Sequence, residues 1–502
     1  MKPLLHSLLP LLLGLTAAAQ DKQTNPFEAS SASDQAKPRA GNDCVISYEH
    51  ILVPPDLLNA WQETHGTPTD ATELRRVVQG WVGENKARVE MTGVVTGTVG
   101  AMLTNNFSLD LMWPTEFQPA PAAGTWPFPM SFRKRPLGCE FKAAFTRAND
   151  QEHFECASLF TELLPGLPFA TVPLVEKTRM SDDVISPAFR NLALARLPRP
   201  SSSDETPAGP DPFGSPPDPK APPLDFTPDL DSFGPAFAAG PVRLLGSFDP
   251  MPPARVGGTA PLGTGAPEPL PVPANALTRM VFVRGTAATA PTPSFTPSGQ
   301  YGIAVKMVRV REKVLTPWML GQDPLKLPSA TDEICQQWIE KKDAEVVRRL
   351  SATGQSDTKT RIAYTEETSY PTEWEAARLV SRDPANAGKE EFPALSPATP
   401  TSPESRDVGC TFEIGWFAGR EGGFYQCAFS NVMMAGSAVH HRIHKDGKWE
   451  ADVSSAKFAM QEMSTNMRLP RGRWTLMGVT GYRSEKGIDD PENRLLVFVR
   501  VD

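Results

Sequence analysis

Apolar and polar positions alternate along much of this chain with period two, the signature of a half-buried strand. The strictest run is Gly302–Glu312, and Cys139, Phe141, Ala143 and Phe145 alternate with Glu140, Lys142 and Ala144 in the same way. The same reading predicts strands over Val45–Val53, Ala87–Thr92, Thr98–Leu103, Phe107–Met112, Leu277–Arg284, Arg361–Thr365, Thr411–Phe417, Phe424–Phe429, Thr475–Val479 and Leu495–Val501. Three stretches have helical spacing instead. Pro54-Pro55 precedes a short helix through Trp61. Leu74, Val77, Val78 and Trp81 share one face of Asp70–Trp81, with Asp70 or Thr72 as the cap. Ile334, Trp338 and Ile339 share a face of Ala330–Leu350. The fold class expected is α+β, mostly β, with short helices packed on antiparallel sheets.

These elements recur. Tyr370-Pro371-Thr372-Glu373-Trp374, a Pro-rich spacer, Val408-Gly409-Cys410-Thr411-Phe412 and Phe424-Tyr425-Gln426-Cys427-Ala428 repeat an earlier order. That order is Trp113-Pro114-Thr115-Glu116-Phe117, a spacer, Leu137-Gly138-Cys139-Glu140-Phe141 and Phe154-Glu155-Cys156-Ala157. The cysteines stand 17 positions apart in both copies, and Trp81/Trp338 and Pro114/Pro371 are both offset by 257. The chain therefore reads as two tandem copies of one module, 44–286 and 302–502.

Composition refines this picture. A net charge of −8 does not suit a broad nucleic-acid surface. Lys2, the apolar run Leu4–Leu15 and Ala17-Ala18-Ala19 read as a signal peptide over 1–19. Residues 20–43 read as a disordered lead-in. No stretch is long and apolar enough for a transmembrane helix, so any membrane association would take another form. Many of the 52 prolines crowd into 198–273, read as a disordered insert within module one that holds one apolar island, Val242–Gly246.

Export permits disulfides, and the cysteines number six. Folding each hairpin about its turn, Arg147–Asp150 or Gly419–Gly423, would bring Cys139 opposite Cys156 and Cys410 opposite Cys427. Both pairs are expected as disulfides, each worth roughly 3 kcal/mol. The alternative is two buried thiols per module. Cys44 and Cys335 are left without assignment.

Module two resembles the C-terminal domain of the secretins, the outer-membrane proteins of type II and III secretion systems, in a divergent, duplicated form of the kind found in Verrucomicrobia-like bacteria. The resemblance is carried by Val305–Val310, by Thr360–Ala363 leading to Tyr370–Glu373, by Val408–Glu413, and by Met463–Met467, Leu476–Gly478 and Leu495–Val499. Where the family has a Gly-Gly pair, Gly478-Val479 stands here and Gly246-Ser247 in module one. The resemblance implies an exported, non-enzymatic envelope protein, in the periplasm or outer membrane of a Gram-negative-type bacterium. It would support protein secretion or outer-membrane assembly through protein partners or self-association. The other reading is a soluble secreted binding or structural protein that reuses the fold.

Candidate chemistry is sparse. His440-His441-Arg442-Ile443-His444 has metal-ligand residue types, but it reads more simply as a solvated basic loop beside Lys445 and Lys448. No Gly-x-Ser-x-Gly and no phosphate loop occurs. No catalytic residue, cofactor or metal is therefore assigned. Trp113, Tyr370 and Trp374 of the repeated boxes are read as core.

Overall fold

A computed structural model describes residues 42–118, 128–148, 151–168, 185–194, 236–248, 277–288, 292–375, 398–418, 423–445, 448–484 and 486–502. The expected signal peptide, the lead-in before residue 42 and most of the Pro-rich insert lie outside them.

Module one runs β1 (Asp43–Val53), α1 (Pro55–His65), α2 (Thr72–Gly83), β2 (Arg88–Thr98), β3 (Met102–Gln118), β4 (Phe128–Ala148), β5 (Gln151–Pro168), β6 (Ile185–Leu194), β7 (Ala236–Ala238), β8 (Arg243–Phe248) and β9 (Thr278–Ala287). Module two repeats the order without the short β7. It runs β10 (Gln300–Arg311), α3 (Glu312–Leu320), α4 (Leu327–Glu340), β11 (Ala344–Gln355), β12 (Thr360–Glu375), β13 (Thr399–Phe417), β14 (Phe424–Lys445), β15 (Lys448–Met467), β16 (Thr475–Arg483) and β17 (Asp489–Val501).

Two antiparallel sheets hold both modules. The first has the order β11-β10-β17-β16-β2-β1-β9-β8, and the second β12-β13-β14-β15-β3-β4-β5-β6. Apolar residues on their facing sides form one core per module. Phe141, Phe145, Phe154 and Tyr48 centre the first, and Phe412, Tyr425, Phe429 and Val497 the second. The helices cover the other side of the first sheet: Leu58, Leu74 and Val78 pack on Ile51 and Phe282, while Leu315, Cys335 and Trp338 pack on Val308 and Phe498. Pro55 opens α1 at a position where no backbone donor is needed. Ala71 takes the N-cap position of α2, and Asp70 before it accepts from the Thr72 backbone N–H at 2.9 Å, satisfying the first free donor of the helix.

The second sheet curls at its far end, where Glu373 of β12 bridges Ser131 of β4. Met112, Phe132, Val453 and Trp374 pack there, next to a cluster of Tyr370, Val432, Phe458 and Met460. Tyr370 and Trp374 thus belong to apolar clusters, as read from their boxes.

Several expectations change. Ala330–Leu350 is not one helix. It ends at Glu340, Lys342 turns with φ 63°, and Ala344–Gln355 becomes β11, paired with β10. β-Branched Val346 and Val347 suit that strand. The strand read as Ala87–Thr92 runs on to Thr98 as β2, held by β1 on one side and β16 on the other, and the strand read as Thr98–Leu103 falls mostly on the turn into β3. The island Val242–Gly246 contributes to β8, which pairs with β9, so the disordered reading of 198–273 fails over 236–248. The run His440–His444 is strand, part of β14 paired with β15, rather than a loop. Helix α3 went unread, although α1 shifted by 257 positions lands on it.

Candidate functional site

The paired cysteines were the sharpest site prediction, and the register overturns it. In β4–β5 Cys139 lies opposite Phe160 and Cys156 opposite Ala143. In β13–β14 Cys410 lies opposite Asn431 and Cys427 opposite Ile414. Each hairpin turns where the sequence placed its turn, but pairing about that turn leaves the two cysteines staggered by four positions, about 13 Å along the strands. A disulfide needs its Cα atoms about 4.4–6.8 Å apart. All six cysteines are buried thiols. Burial pushes Cys139, Cys156 and Cys335 up to about 12 and Cys410 to about 11, far from a reactive thiolate. They act as small apolar core residues.

His440 does not present a ligand to solvent. Its Nε2 lies 2.7 Å from Ser455 Oγ, its ring rests on Phe132, and burial lowers its pKa to about 4. The side chains of His441 and His444 lie outside the described residues. Among the described residues no group of three or more His, Cys, Asp or Glu is arranged to hold a metal ion. A small cleft opens between the first sheet of module one and the helical layer of module two, lined by Ser47, Thr92, Phe282, Met319 and Leu327. Its one carboxylate, Glu49, is already engaged by Arg75, with Nε–Oε2 at 2.6 Å.

What stands out is the junction between modules. Within each module the first sheet has the same internal order, β2-β1-β9-β8 and β11-β10-β17-β16, and the two quartets join head to tail through β16 and β2. The second sheet does the same through β15 and β3. In the first sheet Gly478 stands opposite Val95 and Val479 opposite Val94. A Cβ on Gly478 would lie 2.5 Å from the Val94 carbonyl oxygen, so this approach excludes a side chain. In the second sheet Phe458–Ser464 pairs with Thr104–Asp110. Asn105 Nδ2 donates to Val479 O at 2.8 Å, and Arg483 donates to the Ser108 carbonyl and stacks over Phe107. Asp110 is clamped by Arg406 Nη1 at 2.6 Å.

Head-to-tail joining uses one edge of each module; among the described residues the other two edges pair with no further strand except where Glu373 of β12 bridges Ser131 of β4. β8 and β6 end the sheets on the module-one side, and β11 and β12 end them on the module-two side. Covered β2 is buried at nearly every position, whereas its counterpart β11 alternates between exposed and half-buried. Covered β3 keeps Phe107 half-buried, whereas its counterpart Tyr364 on β12 is 70% exposed. Sequence reading found the repeat but missed this surface, because strand order does not follow from repetition. The available signal was polarity: Glu366-Glu367 stands on β12 where β3 has Leu109-Asp110.

Solved secretin structures are among those to which this chain is similar. The secretin domain β-barrel of InvG from the Salmonella SPI-1 injectisome is 9% identical, with a TM-score of 0.18 over 44% of this chain and 70% of that one. The near-atomic cryo-EM structure of the Salmonella SPI-1 injectisome secretin InvG is 8% identical, with a TM-score of 0.17 over 44% and 69%. A basal-body model of InvG with PrgH and PrgK from the same injectisome gives 8%, 0.17, 44% and 49%. No protein-family model and no curated protein matches the sequence. Among the described residues no helix is long and apolar enough to cross a membrane.

Proposed function

We propose that this protein is a non-enzymatic, exported structural subunit of the cell envelope. In this reading it is related to the secretins and supports protein secretion or outer-membrane assembly through protein partners. The observation that supports the reading is the pair of antiparallel edges at each end of the shared sheets, which among the described residues are unpaired apart from the Glu373–Ser131 bridge. Unpaired strand edges are templates for further pairing, and natural proteins cover or charge them when pairing is unwanted. The exposed polar stretch Arg361–Ser369 of β12 also favours a second reading, a soluble secreted protein that captures an extended segment by strand addition.

Gentle extraction from the native envelope, fractionation and negative-stain microscopy separate the two. High-mass particles in the outer-membrane fraction support the subunit reading. Monomers confined to the soluble fraction end it and leave strand capture.

A further inference from the structure

We propose that the cleft between module one's first sheet and module two's helices binds a small aliphatic acid. Its carboxylate rests on Arg284 and Ser47, and its chain lies against the apolar wall. The site lies within one chain and stands apart from the envelope role proposed above.

The floor of the cleft is the helical side of β9, β1 and β2. Ser47 of β1 lies opposite Arg284 of β9, and Glu49, two positions on, lies between Phe282 of β9 and Thr92 of β2. Residues two apart on a strand share a face, so these five side chains line the same space. Module two supplies the opposite wall, with Met319 and Leu320 from α3, Pro324, and Leu327 at the start of α4. Apolar walls with a few convergent polar groups are the ordinary make-up of a small-molecule site.

Charge decides how a ligand would lie. Both oxygens of Glu49 are taken by Arg75, Oε2 by Nε at 2.6 Å and Oε1 by Nη2 at 2.8 Å, so this carboxylate leaves no net charge on the floor. Arg284 is different. Among the described residues its one hydrogen bond runs from Nε to the Gly240 carbonyl at 3.0 Å, and no carboxylate forms an ion pair with it. Asp323 is within electrostatic reach, but its Oδ1 accepts from the Leu325 backbone N–H at 3.1 Å. The half-buried Ser47 beside Arg284 makes no side-chain hydrogen bond among the described residues, and the buried Thr286 hydroxyl, two positions along the same face of β9, is also unpartnered.

Module two supplies an independent comparison. Val-Phe-Val-Arg stands at 281–284 and again at 497–500, so Arg500 is the counterpart of Arg284. Arg500 holds Asp502 Oδ1 through Nε at 2.9 Å and Nη2 at 2.7 Å. In module one Thr286 stands where module two has Asp502, and Ser47 where it has Ala304. Module one thus lacks the carboxylate that occupies this arginine and has two hydroxyls instead, at the place where a cleft opens. A carboxylate from outside the chain completes the arrangement that module two completes from within.

The floor also selects the rest of the ligand. β9, β1 and β2 are each paired on both sides, so they offer no free backbone groups to an extended peptide. Three neighbouring strands span about 10 Å, which limits the chain to a short one. A free aliphatic acid fits these features better than a peptide end.

Octanoate, titrated into the full chain by calorimetry, is the probe. Saturable binding at one site is expected. Octanol, which lacks the charge, and acetate, which lacks the chain, should each bind roughly tenfold more weakly or worse. Arg284→Gln should weaken octanoate about tenfold and Ser47→Ala about threefold. Arg500→Gln, the same change at the paired arginine, should leave binding as it was. Leu320→Asp puts a carboxylate on the exposed part of the apolar wall and should abolish binding, which keeps the test open if Arg284→Gln does not fold. The proposal is overturned if octanoate fails to saturate, if it binds Arg284→Gln or Leu320→Asp as it binds the parent, or if octanol binds as well. N-Acetyl-leucine binding more tightly than octanoate also overturns it and puts a peptide carboxy terminus in the cleft.

Discussion

The two modules share one backbone plan and fill it with different chemistry. Glu49 on β1 pairs with Arg75 on α2, both deeply buried. Shifted by 257 positions these are Lys306 and Asp332, and they pair too. The ion pair has kept its place between strand and helix while its charges changed sides. The aromatic beneath it is kept as well: Arg75 lies over Phe282 and Lys306 over Phe498, on the equivalent strands β9 and β17. Below the sheet, His50 Nε2 lies 3.6 Å from Cys139 Sγ, and Met307 Sδ lies 3.9 Å from Cys410 Sγ in the matching place. The scaffold needs a compensated charge at one site and a group of suitable volume at the other. It does not need a particular polarity or a particular atom, which is the mark of packing rather than of catalysis.

Breaking the ion pair gives the largest expected effect. Glu49→Gln leaves Arg75 buried without its carboxylate and should cost about 3–5 kcal/mol, read as a fall in the urea midpoint. Grafting module two's solution onto module one, Glu49→Lys with Arg75→Asp, should recover most of that loss. If the double variant is no better than the single one, the two sites are not equivalent and the comparison fails.

A second pair of positions tests whether coverage matters. Gly138 and Gly409 both have positive φ, 113° and 134°, and a Cβ on either would run into the carbonyl of the neighbouring strand, at Phe107 or Tyr364. Alanine at either should cost about 1–3 kcal/mol from backbone strain alone. The loss should be greater at Gly138, because β3 is held between β4 and β15 while β12 is an edge that can yield. Equal losses in urea unfolding would show that the edge strand is as rigid as the covered one.

The repeat, the β-rich class and the core residues were legible because alternation, the Gly-Cys steps and the Pro-Thr-Glu boxes are local patterns. Strand lengths were less so. β14 and β15 run well beyond their apolar centres, because their polar ends are held by cross-strand pairing rather than by burial. The disulfide expectation failed on register: the turns fall where they were read, but equal cysteine spacing does not say which residues lie opposite one another across them. Nothing local could show that the modules join head to tail, since that depends on which edges meet.

Acid separates the modules next. Burial first, and the Arg279 guanidinium second, lower the His50 pKa to about 3, while Met307 in its place cannot titrate. In the unfolded chain His50 takes up its proton near pH 6.5, while in the folded chain it stays neutral until about pH 3. Between those values the unfolded state binds more protons. Stability is therefore complete above pH 6.5 and falls as pH drops, by about 1.4 kcal/mol per unit for this group. His50→Met should remove that slope, so that between pH 7 and pH 5 the variant loses about 2 kcal/mol less than the parent. Parallel pH profiles would mean that His50 titrates in the fold as it does in the unfolded chain.

The smallest expected effect is none at all, and it bears on both modules equally. With Cys139 and Cys156, and Cys410 and Cys427, staggered by four positions in their hairpins, no bond constrains the unfolded chain. A reductant should leave the unfolding midpoint of each module where it was. Denatured, unreduced protein should titrate six thiols, and native protein close to none, because all six are buried. Two thiols in place of six would mean that both hairpins had slipped four positions to bring their cysteines together. A slip in only one module would make the hairpins inequivalent, and the common register of the two copies would be lost.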